Sequence, residues 1–93
     1  MTVGILTLRL AIRQATSLKD KRRVVQSILQ RVRHQFNVSA IETGTRDARQ
    51  HANLCFAALA DGRREVESTL TQIVNMARQR PDAELVDFDI ETF

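Results

Sequence analysis

Three features of the 93-residue sequence predict an α+β fold with the element order βαββαβ. Four segments alternate like strands, two longer segments carry a single apolar stripe each, and an internal repeat sets those two helices in equivalent positions. Length and composition fit one small domain, residues 1–93, with 43% hydrophobic and 27% charged residues. The single cysteine, Cys55, excludes an internal disulfide framework, so an apolar core must hold the fold. No apolar run approaches the roughly 20 residues of a membrane helix. The N-terminal stretch Met1 to Ile12 has no positive charge ahead of its apolar run and no small-residue cleavage site after it. It reads as a strand rather than a signal peptide, which makes a reducing cytoplasm the expected compartment.

The first strand follows from Leu6, Leu8, Leu10 and Ile12 alternating with Thr7, Arg9, Ala11 and Arg13. Ser17 then starts a helix: its hydroxyl can accept from a first-turn N–H while Asp20 reaches back to it near the positive helix end. Leu18, Val25, Ile28, Leu29, Val32 and Phe36 recur at helical spacing and give a helix of about 19 residues with one apolar face. Asn37 breaks it. Val38 to Thr43 alternates as a second strand, Gly44 to Arg49 is a polar turn, and His51 to Ala60 is a third strand with Leu54, Phe56 and Ala58 on one face. Asp61 is placed to cap a second helix whose stripe is Val66, Leu70, Ile73, Val74 and Ala77, and Pro81 ends it. In the last segment Val86, Phe88 and Ile90 alternate with Leu85, Asp87, Asp89 and Glu91.

The repeat is Arg22-Arg23-x-Val25-x-Ser27-x-Leu29 against Arg63-Arg64-x-Val66-x-Ser68-x-Leu70, an offset of 41 residues that lands each copy in the first half of a helix. Two such βαβ halves form a ferredoxin-like split βαβ sandwich. Right-handed crossovers give it an antiparallel sheet of order 4-1-3-2, with both helices on one face.

Charge is unevenly distributed. Residues 1–64 carry 12 Lys/Arg against four acids, whereas residues 65–93 carry two against seven. In the expected topology strand 4 lies beside strand 1, so Asp87, Asp89 and Glu91 share the open sheet face with Arg9 and Arg13. Cross-strand pairs of this kind stabilise by about 0.2–1 kcal/mol each. What stays uncompensated is the first helix, where residues 17–34 hold six Lys/Arg and only Asp20.

On its motifs the chain resembles the YlxP-like family of small bacterial proteins of unknown function. The resemblance runs nearly end to end. It is carried by the opening Val3-Gly4-Ile5-Leu6-Thr7-Leu8-Arg9-Leu10, by Ser17-Leu18-Lys19-Asp20-Lys21-Arg22-Arg23, and by Phe36-Asn37-Val38-Ser39 with Glu42 following. It implies a ferredoxin-like fold. Members commonly sit beside genes for a translation initiation factor and ribosome-binding factor A, which implies a role near ribosome assembly. It brings no catalytic residues. Between strands 2 and 3 the family reads Asp-x-Trp-Gln-Arg, where this chain has Asp47-Ala48-Arg49-Gln50-His51. Arg49 therefore replaces the tryptophan, which puts a stacking role there in question.

The densest candidate site is Lys19, Lys21, Arg22 and Arg23 at the start of the first helix, with Arg33 further along it. Cations at a helix N-terminus oppose the dipole by up to about 1 kcal/mol, which favours a functional reason for the cluster over a merely solvated face. Phosphates of a structured RNA or ribosomal particle fit it without base reading.

Other chemistries fit less well. An RNA-recognition-motif surface needs aromatics on the central strands. The open face offers Thr7, Arg9, Asn53 and Cys55, Phe56 points into the core, and the chain has no Tyr or Trp. Acylphosphatase-like chemistry needs a glycine-containing loop after strand 1, and Arg13 to Ser17 has none, although Arg13 and Asn53 lie within reach of converging. His34 and His51 lack a partner at ligand spacing and Cys55 lacks a base, so no enzyme, cofactor or metal site is expected. Ile5, Ala57 and Leu59 leave the open face partly apolar. The alternative to RNA binding is thus a homodimeric protein-interaction module, since a core this small gains from dimer burial.

Overall fold

A computed structural model describes all 93 residues. Its elements are β1 (Thr2–Ala11), α1 (Leu18–Gln35), β2 (Val38–Glu42), β3 (His51–Ala60), α2 (Arg63–Arg78) and β4 (Glu84–Thr92). The sheet order is β2-β3-β1-β4, every pairing is antiparallel, and both helices cover one face, as the element order requires. The register sets Leu6 against Phe56 and Leu8 against Leu54, so the apolar alternation of both central strands faces the helices. There it meets Val25, Ile28 and Val32 of α1 and Val66, Leu70 and Ile73 of α2, all buried. Both copies of the repeat thus supply a Val and a Leu to the core, Val25 with Leu29 and Val66 with Leu70.

Close packing explains Gly4. A Cβ at this position would lie 2.2 Å from Cγ1 of Val66 and 2.9 Å from Cδ1 of Leu70, so only a glycine lets α2 lie this near β1. Gly44, at φ +76°, supplies the left-handed residue that turns the chain out of β2.

Three local expectations are corrected. Gly62, not Asp61, is the N-cap of α2, and no side chain caps that helix, because the chain enters it one residue later than the aspartate would need. Asp20 accepts from the N–H (3.1 Å) and hydroxyl (2.7 Å) of Thr16 rather than bonding back to Ser17, whose hydroxyl accepts from the Asp20 N–H at 3.1 Å as expected. In β4 the alternation breaks. Arg9 opposes Asp87 but Leu10 opposes Leu85, so Val86 is the extra residue of a bulge and is exposed. Leu85 takes its place against the core, while Phe88, on the outer strand, is only partly covered, with the Arg78 guanidinium 5.5 Å above its ring.

Candidate nucleic-acid interface

Helical phase decides what each cation of α1 does. Lys21 stands four residues before Val25 and seven before Ile28, on the apolar stripe, and is fully buried. Its ammonium donates to the Glu42 carboxylate at the end of β2 and to the Thr45 carbonyl at 2.6 Å. The Thr45 hydroxyl donates to the same carboxylate at 2.8 Å and accepts from the Asn53 N–H at 2.9 Å. Lys21 therefore leaves the phosphate-binding set: it fastens α1, β2, β3 and the intervening loop to one another, and no buried side-chain polar atom is left unpaired. Arg33 is exposed but donates to the Ala40 carbonyl of the outer strand β2, so part of its guanidinium pins helix to sheet.

Lys19, Arg22 and Arg23 are exposed, and no acid lies in ion-pair range of them or of Arg31. Asp20, the only acid of the helix, is taken up by Thr16. The hydroxyl of Thr16 and then its N–H hold the Asp20 carboxyl below its ordinary 3.8, and Ser17 and the Arg23 charge act in the same sense. Arg31 was absent from the expected set; its signal is the i, i+4, i+8 series Arg23–Ser27–Arg31, which continues the cluster along one flank. Arg23, Gln26, Gln30, Arg31 and His34 line a shallow depression of about 600 Å³. It adjoins, through Ser27 and Arg31, a second of about 480 Å³ that reaches Arg80 at the end of α2.

On the opposite face the arginines are paired. Arg9 bridges Asp87 (2.8 Å) and Asp89 (3.0 Å), and Arg13 pairs with Glu84 at 2.6 Å. The expected strand 1–strand 4 pairing is thus present for Arg9, while Arg13 takes Glu84 and Glu91 stays unpaired. Hydrogen bonds from the guanidinium, first to Asp87 and then to Asp89, raise the Arg9 pKa further. Beside these pairs the face is apolar: Ile5, Ile41, Leu59 and Phe93 are 37%, 54%, 61% and 69% exposed. Phe56 is buried, Arg13 is committed to Glu84, and the Cys55 thiol meets only the Thr7 hydroxyl, at 3.6 Å. No three His, Cys, Asp or Glu side chains are grouped to hold a metal ion. No helix is long and apolar enough to cross a membrane.

With this geometry in hand, the profile of the family described as "Protein of unknown function (DUF503)" matches residues 3–90. The chain belongs to the DUF503 family. It is similar to the uncharacterized protein YlxP of Bacillus subtilis (strain 168), with 34% identity over 82 residues that cover 88% of this chain and 89% of that one. A de novo designed protein with a ferredoxin fold, solved by solution NMR, superposes with a TM-score of 0.50 at 18% identity over 99% of this chain and 84% of its own, a likeness of fold alone. Within the DUF503 chain, the motifs that carried the YlxP-like resemblance divide by role. Gly4 admits α2, Ser17 caps α1, and Lys21 and Glu42 form the buried pair, whereas Lys19, Arg22 and Arg23 are the charged motif positions without an ion-pair partner.

Proposed function

We propose that this DUF503 protein is a non-enzymatic, cytoplasmic domain that binds structured RNA or a ribosomal particle through the outer surface of α1. One observation carries the reading: Lys19, Arg22, Arg23 and Arg31 are exposed on a single helix without an acidic partner, whereas the arginines of the sheet are neutralised by β4. Unpaired guanidinium groups on a rigid helix suit bidentate contact with phosphate oxygens.

Co-sedimentation with small ribosomal subunits and their precursors across a salt series tests it. Binding should weaken with salt by a power close to the number of phosphates contacted, and Lys19→Glu, Arg22→Glu and Arg23→Glu together should abolish it. Absence of binding at low salt, or binding indifferent to the triple reversal, removes the reading. The exposed Ile5, Ile41, Leu59 and Phe93 favour a second reading, a homodimeric module that meets a copy of itself through the open sheet face. A light-scattering mass of 10.6 kDa at every concentration excludes it.

A further inference from the structure

The loop between β2 and β3, residues 43–50, is long and polar yet fastened at both ends. At its start Thr45 is held by Lys21, Glu42 and the Asn53 N–H. At its end the Gln50 amide donates to the carbonyls of Arg13 (3.1 Å) and Ala15 (3.2 Å), and the Gln50 carbonyl accepts from the Ile12 N–H at 2.8 Å. Between these anchors the Ala48 N–H closes a turn onto the Thr45 carbonyl at 2.9 Å. Arg46 and Arg49 are exposed, and neither makes an ion pair or a side-chain hydrogen bond. Arg49 lines a basin of about 550 Å³ with Thr16, Gln50 and His51, at the end of the domain where α1 begins. Asp47, also exposed, is the one acid of the loop.

We infer that this fastened loop is a second phosphate contact and that the partner is a double-helical segment of RNA, held between α1 and the loop. The inference rests on the RNA reading above and narrows it. Recognition of unstacked bases uses aromatic platforms beside the basic groups. Here Phe56 is buried, Phe36 packs against the core, and Phe88 and Phe93 belong to the β4 end of the chain, so none accompanies the arginines of α1 or the loop. Duplex RNA is gripped instead by its phosphates and 2′-hydroxyls. Arg23 and Arg31 stand about 12 Å apart along the helix axis, with the amides of Gln26 and Gln30 between them, a spacing of charged ends and polar middle suited to that contact. Two rigid clusters on different elements also match a partner whose phosphates are themselves fixed in space.

Fluorescence anisotropy with a blunt RNA hairpin of about 16 base pairs, the span of a duplex-binding domain of similar size, and with an unstructured RNA strand of equal length tests the inference. The duplex should be bound at least tenfold more tightly. Arg46→Glu with Arg49→Glu should lower the salt slope on the duplex by about 2, one for each lost contact, and Asp47→Asn should tighten binding. Arg46, Asp47 and Arg49 make no ion pair or side-chain hydrogen bond, so an unchanged melting curve is expected for both variants. If neither RNA binds, both the inference and the RNA reading fall. If the duplex binds but the loop variants leave affinity and slope unchanged, or if the strand binds as tightly as the duplex, the inference falls and the α1 reading stands.

Discussion

Removing the Lys21 ammonium leaves the Glu42 carboxylate, 10% exposed, without its counter-charge and with only the Thr45 hydroxyl as a side-chain donor. Lys21→Met should therefore destabilise the protein by about 3–5 kcal/mol in urea unfolding, a large part of the 5–15 kcal/mol available to a domain. Lys21→Met with Glu42→Leu should recover most of that loss, because the pair then leaves as a unit. Position 21 also marks the limit of the sequence reading. It sits in an unbroken charged run from Lys19 to Arg23, and residue type outweighed phase; its spacing to Val25 and Ile28 was the available clue. That its partner would be Glu42 was not legible, since the pair depends on how a helix start and a strand end meet in space. Asp20 yields a second expectation. Its carboxyl titrates below the ordinary 3.8 in the folded chain, so at mildly acid pH the unfolded chain binds more protons. The stability it adds is complete above the ordinary value and is lost as pH falls through the folded one. Asp20→Asn should flatten that acid limb, as followed by thermal melts from pH 2 to pH 6.

At the scale of elements, α2 lies close over β1 at Gly4. Gly4→Ala pushes a methyl into the buried side chains of Val66 and Leu70 and should cost about 1–3 kcal/mol by the same urea measurement. A helix merely lying near the strand would tolerate alanine without loss. All six elements were legible in order, because two periods, near 2 and near 3.6, separate strands from helices without reference to the rest of the chain. What escaped was local. The β4 bulge shifts phase after Val86, and a reading by alternation assumes an unbroken period of two. The start of α2 rests on a glycine, which carries no capping side chain to announce itself. Arg33 shows a third kind of miss. Its composition and position suggest a surface cation, and it is one, but it also covers a carbonyl of the outer strand β2, where an unsatisfied group would invite pairing with another chain.

Across the whole molecule the sheet order and the placement of both helices on one side followed from handedness, so the opposition of a helical layer to an open sheet was legible before any coordinate. The balance of charge between those layers was legible only in part. Acids on strand 4 pointed to pairing with strand 1, but the choice of Glu84 by Arg13 depends on the register after the bulge. The outcome is a body with five exposed cations and one acid on α1, at the β2 side of the helical layer, and four acids on β4, at the opposite edge of the sheet, of whose charge Arg9 and Arg13 offset half. Such a body has a permanent electric axis. In the field of a polyanion it experiences a torque as well as an attraction, and the torque acts before any atom touches. It should turn during approach and arrive helix first. The open sheet face, with its exposed isoleucines and Leu59, would then be turned away from the polyanion and left uncovered.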